Sequence, residues 1–255
     1  MTSIPIREVA KLIDHALLHP TLTDADLRAG CALALRYDVA SVCIKPYAVP
    51  MAADLLAGSA VRVGTVIGFP HGASTTHLKV AETLQACREW AVEIDMVVNI
   101  GKVLSEDWAY VTDEIRVIHD VCQTHGAVLK VIFETDFLPN DAVKIKLCAI
   151  CREVEVEFVK TSTGFGFAKG TDGKYDYTGA TKEDLQLMLS HVGPGVQVKA
   201  SGGIRTLDDL LWVKAMGVTR VGTSATATIM TEAYRRFGHS APTLLPTGSS
   251  ESEGY

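Results

Sequence analysis

Short β-branched runs alternate with amphipathic helical stretches along nearly the whole chain, and this alternation limits the fold more than any other feature. Eight runs read as strands, at residues 12–17, 39–44, 61–67, 93–99, 128–134, 158–161, 196–200 and 220–222. They are almost continuously apolar, as strands covered on both faces are. Strand and helix in strict succession give a parallel sheet, and 255 residues hold eight such units in one closed barrel. The first strand-to-helix turn lacks G-x-G-x-x-G, which argues against an open dinucleotide-binding sheet. The expected fold is a single (β/α)8 TIM barrel over residues 1–239. A polar Ser/Gly/Pro-rich stretch, 240–255, is expected to be a flexible C-terminal tail.

Local signals mark the helices. Thr23 with Asp26, Thr181 with Asp184 and Thr206 with Asp209 have capping-box spacing, and Asn140 is a fourth candidate cap. Apolar stripes at helical spacing follow: Leu27, Cys31, Ala34 and Leu35; Val80, Leu84, Cys87 and Ala91; Val111, Ile115, Ile118 and Cys122; Val143, Leu147, Ile150 and Val154. The stretch 164–179 breaks the rhythm. It is long for a strand-to-helix connection and rich in Gly, Lys and Tyr, which points to a working or mobile loop.

Charge and cysteine usage exclude several classes. A net charge of -6 gives no overall attraction to nucleic acid or to an anionic membrane. No apolar run approaches a membrane span, and the N-terminus has no signal-peptide pattern. The six cysteines are scattered on mostly apolar positions, the pattern of reduced thiols in a cytoplasmic protein.

In a barrel, chemistry gathers at the carboxyl ends of the strands, so charged residues inside apolar strands are the candidates. Four stand out: Asp95, Lys130, Lys160 and Lys199. A lysine pointing into a barrel must be paired or lose its charge, and the neutral amine is a nucleophile toward carbonyl carbon. A second lysine nearby lowers the first one's pKa further. Lys160 and Lys199 fall on the sixth and seventh strands, each followed by small residues and glycine. Gly202, Gly203 and Arg205 follow the seventh strand, while Gly222, Thr223 and Ser224 follow the eighth and open a helix. Barrels often hold phosphate in these two loops, with backbone N–H groups and a helix N-terminus.

These stretches, with Lys160-Thr161-Ser162-Thr163-Gly164, Glu93-Ile94-Asp95, residues 129–135, Gly68-Phe69-Pro70-His71-Gly72 and Ile13-Asp14-His15, resemble the deoxyribose-phosphate aldolases, in order from about residue 10 to 230. The resemblance implies a class I aldolase that reversibly cleaves 2-deoxy-D-ribose 5-phosphate to D-glyceraldehyde 3-phosphate and acetaldehyde. It implies no metal and no cofactor, and a place in deoxyribonucleoside catabolism. By position, Lys160 matches the Schiff-base lysine, Lys199 its partner, and Asp95 the proton-moving carboxylate. Asp14 matches a supporting carboxylate and Lys130 a positive neighbour. Gly164, Gly202, Gly203, Arg205, Gly222, Thr223 and Ser224 fall in the phosphate loops. Cys43 matches a cysteine near the site, and Tyr255 a terminal tyrosine that assists proton delivery. Where some relatives carry lysine after the glycine, this chain has Phe165, so Lys169 or Lys174 is the expected replacement charge.

Other signals are weaker. Cys148 and Cys151 have redox-motif spacing but sit within a helical stripe, and His15 and His19 lack the rest of a zinc motif. Trp90, Trp108 and Trp212 are read as core or interface residues. Two rivals share part of the pattern. One is another Schiff-base barrel aldolase with a different sugar phosphate, separated from the first reading by the Asp95 and Lys199 motifs. The other is a catalytically silent phosphate-metabolite-binding barrel, against which Lys160, Lys199, Asp95 and Asp14 together argue. The expected partners are a small sugar phosphate and aldehydes. The assembly is left open, with a homodimer among the options.

Overall fold

The computed structural model describes residues 4–138, 140–170 and 173–238. Eight parallel strands close into a barrel: β1 (Ile13–Leu17), β2 (Ser41–Ile44), β3 (Arg62–Ile67), β4 (Glu93–Val97), β5 (Val128–Ile132), β6 (Phe158–Lys160), β9 (Gln197–Ser201) and β10 (Arg220–Thr223). β10 pairs with β1 through Asp14 opposite Gly222, which closes the ring. The remaining two strands, β7 (Ala168–Lys169) and β8 (Tyr175–Asp176), form an antiparallel hairpin inside the loop after β6. All eight expected strands are present, every end within two residues of its expected place, and β4 and β5 are the two that end early by the full two residues. Those two runs stop at Val97 and Ile132, and the chain bends into loops that shape the barrel mouth.

The helices are α1 (Ile6–Ala10), α2 (Asp24–Tyr37), α3 (Val49–Leu56), α4 (Thr76–Arg88), α5 (Ile100–Leu104), α6 (Trp108–Thr124), α7 (Asp141–Val154), α8 (Lys182–His191), α9 (Leu207–Met216) and α10 (Thr226–Arg236). Thr23 and Thr206 form reciprocal capping boxes with Asp26 and Asp209. Thr181 does cap α8, but the Asp184 carboxylate turns to the Thr181 hydroxyl and to Lys144 at 2.5 Å. That box is therefore only half made. Val111, Ile115, Ile118 and Cys122 are fully buried, as their spacing predicts. The stripe on α4 is displaced by one position: Lys79, Thr83 and Ala86 face inward, and Val80, Leu84 and Cys87 are half-buried. Leu35 on α2 is exposed, contrary to expectation, because Leu27, Cys31 and Ala34 already fill the contact with the barrel. Trp90 is 76% exposed and so is not a core residue.

Inside the barrel the layers are polar. Asp14, Ser41, Glu93, Asp95, Lys130, Lys160 and Lys199 are all buried there, whereas the core between strands and helices is mainly aliphatic, with the buried Lys79–Glu114 ion pair set into it. The pleat sends alternate residues of each strand to opposite faces, so one strand contributes to both layers. Gly222 makes room for this crowding: a Cβ there would lie 3.2 Å from Lys199 Cε and 2.8 Å from Ser201 Oγ.

Candidate active site

Register alone brings the expected residues together. Asp95 lies opposite Lys130 across β4 and β5, and Lys160 lies opposite Lys199 across β6 and β9. Lys160 is the last residue of its strand, so its side chain stands at the carboxyl end of the barrel.

Asp95 is the hub. Its Oδ2 accepts from Lys160 Nζ at 2.9 Å and from Lys199 Nζ at 2.8 Å, while Oδ1 faces Lys130 Nζ at 3.1 Å. Asp14 is the second hub: Lys130 donates to its Oδ2 at 2.9 Å, Lys199 lies 2.6 Å from the same oxygen, and Ser41 Oγ donates to Oδ1 at 2.7 Å. Lys130 also donates to Glu93 Oε2 at 2.6 Å. Arg220 closes the lower side by donating to Asp14 and to Glu93, the latter at 2.8 Å.

Protonation follows from this sharing. Burial pushes the Lys160 ammonium down, the Asp95 carboxylate holds it up, and the Lys199 charge pushes it down again; the net shift is downward. Burial also works against charge on Lys199, but Asp14 and Asp95 more than offset it and its pKa rises. Lys130 is raised well above the ordinary value in the same way, against the cost of burial. Burial would raise the carboxyls of Asp14 and Asp95, yet the surrounding cations hold both below the ordinary range. The arrangement therefore sets one amine whose pKa is pushed down beside two ammonium groups whose pKa values are pushed up, and it is the deprotonated amine that attacks a carbonyl.

All seven expected phosphate residues, Gly164, Gly202, Gly203, Arg205, Gly222, Thr223 and Ser224, line a single cleft at this end of the barrel. The loops are tied to one another. Thr161 Oγ1 donates to Ser201 O at 3.1 Å, and Thr223 Oγ1 donates to Ile204 O at 2.7 Å. Gly202 (φ 86°) and Gly179 (φ 72°) pass in contact, where a Cβ on Gly179 would sit 2.7 Å from the Gly202 carbonyl carbon. Only glycine fits such a crossing.

The long loop contributes differently from expectation. Lys169 and Lys174 are exposed and do not line the cleft, whereas Phe165 and Tyr177 do. Phe165 packs edge-on against Phe69 at 5.5 Å, and Arg205 Nη2 donates to the Tyr177 hydroxyl at 3.3 Å. The extra loop length thus supplies an aromatic cover, and the charge at the cleft comes from Arg205. Cys43 lies on β2, away from the cleft wall but within electrostatic reach of Lys160. Burial raises its thiol to about 11, so it is protonated at neutral pH. Tyr255 and the tail lie outside the described residues.

Four residues of the site were not singled out from sequence: Glu93, Arg220, Ser41 and Glu134. Glu93 was within reach of the argument, since it precedes Asp95 by two and shares its face. Glu134 follows β5 in the left-handed region (φ 57°) and accepts from the Thr163 N–H at 3.1 Å and from the Thr163 hydroxyl. Burial raises its carboxyl to about 7 against those hydrogen bonds. Among the described residues no group of three or more His, Cys, Asp or Glu could hold a metal ion. His15 bonds Thr226 Oγ1 at 2.9 Å, and Cys148 and Cys151 are buried thiols whose pKa values burial raises.

A roomier hollow of about 600 Å³ opens around Arg62, Trp90 and Val92, at the amino end of β3. It lies at the wrong end of the barrel for strand-end chemistry, and none of the interior charges except the rim residue Arg62 borders it.

Comparison with known proteins agrees with the geometry. The deoxyribose-phosphate aldolase of Rhodopirellula baltica is 48% identical over 250 residues, covering 98% of this chain and 99% of that protein. That of Clostridium perfringens is 44% identical over 223 residues, covering 88% and 94%. Among solved structures, an aldolase named QR15 superposes with a TM-score of 0.81 at 35% identity, covering 90% of this chain and 97% of that one. The deoxyribose phosphate aldolase of Aeropyrum pernix, described as a tetramer, gives 0.79 at 28%, covering 91% and 92%. Residues 8–222 match the model of the DeoC/LacD family aldolases, and with the barrel and its lysine cluster in place the chain belongs to that family of enzymes.

Proposed function

We propose that this aldolase cleaves 2-deoxy-D-ribose 5-phosphate reversibly into D-glyceraldehyde 3-phosphate and acetaldehyde through a Schiff base on Lys160. The observation that carries the reading is the sharing of Asp95 Oδ2 between Lys160 and Lys199, with Lys160 as the amine pushed downward.

The neutral Lys160 amine adds to the C1 carbonyl of the open-chain sugar, and loss of water gives a protonated iminium. Asp95 and the charged Lys199 are the groups within reach to move the protons of that dehydration. The iminium draws the electron pair of the C2–C3 bond as it breaks. The C3 hydroxyl gives up its proton, and C3 to C5 leave as glyceraldehyde 3-phosphate. The two-carbon enamine then takes a proton at C2 and is hydrolysed, which releases acetaldehyde and restores Lys160. The nitrogen is itself the electron sink, so the chemistry calls for no cofactor. Gly164, Gly202, Gly203, Arg205, Gly222, Thr223 and Ser224 would hold the phosphate, as their common cleft beside the lysines supports. On the family resemblance, Tyr255 would assist proton delivery to the enamine. The partners in this reading are small molecules, and the enzyme would work in the cytoplasm. Among the described residues no helix is long and apolar enough to cross a membrane.

Reduction with borohydride in the presence of acetaldehyde tests the scheme. Peptide mapping should find a two-carbon adduct on Lys160. An adduct on Lys199 or Lys130 instead would overturn the assignment.

A further inference from the structure

Asp14, Glu93 and Asp95 carry three negative charges inside the barrel, and Lys130, Lys199 and Arg220 carry three positive ones. The six are joined without a break. Arg220 spans Glu93 and Asp14, Lys130 touches all three carboxylates, and Lys199 joins Asp14 to Asp95. Lys160 is the seventh member and the only one whose charge has no counterpart: its ion-pair partner, Asp95 Oδ2, is already held by Lys199. A surplus charge in a buried cluster is costly, so the group with the fewest carboxylate contacts is the one that loses its proton.

We propose that the Arg220–Glu93 pair at the floor of the barrel is a positioning pair that fixes this charge count, so that Lys160 is the member of the cluster that stays neutral. This rests on the Schiff-base reading of Lys160. Neither residue need touch substrate. Arg220 lies in register with Lys199 on the neighbouring strand and is seated on the face of Phe158 at 5.7 Å. Glu93 is fully buried, one inward position below Asp95 on β4. Removing Arg220 leaves three carboxylates facing two lysines, a vacancy that a protonated Lys160 would fill. Removing the Glu93 charge does the reverse and leaves the cluster with one cation too many.

Other groups face the cluster and must be counted. Arg62 reaches Glu93 at 3.5 Å from the amino end of β3, but its side chain is 55% exposed and water screens it. Cys43 on β2 is a neutral thiol. Glu134, beyond β5, titrates near neutral pH and is within electrostatic reach of Lys160. Its contribution is common to every variant and drops out of the differences between them.

The experiment is the pH dependence of cyanoborohydride trapping of acetaldehyde, with the adduct mapped to its lysine in each variant. Trapping rises with pH as the attacking amine loses its proton. Arg220→Met should move that rise to higher pH by about one unit, and Glu93→Gln to lower pH by about as much. The double variant should return close to the parent, and Arg220→Lys, which keeps the charge, should stay there. A purely structural role predicts lower trapping in both single variants with no opposed shifts and no recovery in the double. That outcome, with the adduct still on Lys160, overturns the proposal. An adduct on another lysine in the parent overturns the Schiff-base reading instead. If the single variants do not fold, a double variant or Arg220→Lys whose rise departs from the parent's is enough to reject the charge count.

Discussion

Two regions of the molecule bury lysine equally well and use it differently. Lys79, on α4, is packed in the layer between helices and barrel and is fully buried; Lys160, inside the barrel, is 2% exposed. Burial pushes both amines downward. Lys79 donates to Glu114 Oε1 at 2.7 Å and to the carbonyl of Val97 at 2.8 Å, and the other Glu114 oxygen accepts from the Asn99 N–H at 2.9 Å. Every group in that triangle has its own partner, and together they fasten α4 and α6 to the end of β4. Lys160 instead shares one oxygen of one carboxylate with a better-placed competitor. Burial does not by itself make a lysine reactive. Competition for carboxylate oxygen at the open end of the barrel is what sets Lys160 apart from Lys79.

The contrast fails first if Lys160 proves to be a structural lysine. Lys160→Met should lower turnover by about 10⁴-fold or more, since the covalent route goes with the amine. Its unfolding free energy in urea should change by less than about 1.5 kcal/mol, because a neutral amine is exchanged for a chain of similar volume. A large loss of stability would put Lys160 in the same class as Lys79.

Lys79→Met is the converse. It leaves Glu114 buried without its cation and should cost about 3–5 kcal/mol in the same urea experiment. Trapping at Lys160 in the folded fraction should persist. The double change to Lys79→Met and Glu114→Leu should recover most of the loss, because an apolar pair of similar volume removes the stranded charge. Failure of the double variant to recover would mean that the triangle is not an isolated unit.

Glu134 sharpens the comparison from the acidic side, since its two bonds come from Thr163 groups that carry no charge. Its folded pKa, about 7, lies above the ordinary 4.5, so the folded state binds the extra proton between those values. Stability from this group is complete below about pH 4.5 and is lost as pH rises through about 7. The loss is at most about 3 kcal/mol, and Glu134→Gln should flatten that part of the stability profile. An unchanged slope between pH 5 and 8 in the variant would show that Glu134 is ionised throughout, held by more than Thr163.

Much of the site was legible in the strands. Lys130, Lys160, Lys199 and Asp95 are charges in apolar runs, and a run covered on both faces admits a charge only where something answers it. Gly202, Gly203 and Gly222, singled out as candidates for phosphate loops, were legible as cleft residues because they lie at or directly after the strand ends. Lys79 was not, because an α4 stripe drawn through apolar residues passes one position beside the real inward face. Ion pairing with a helix distant in sequence, not hydrophobicity, turns that face inward.

What the sequence determined by itself was the order and kind of the elements, since periodicity, caps and β-branched runs act over a few residues. The capping box at Thr23 and the buried stripe on α6 needed nothing beyond their own neighbours. Tertiary structure alone decided which lysine has its pKa pushed down, which carboxylate is shared, and that Tyr177 and not Lys174 meets the cleft. Those outcomes depend on barrel closure, which brings residues from β1, β4, β5, β6, β9 and β10 within ion-pairing distance although up to 206 positions separate them in the chain. Electrostatic coupling is set by distance in space and by the exclusion of water, and neither is written in the local pattern of a sequence.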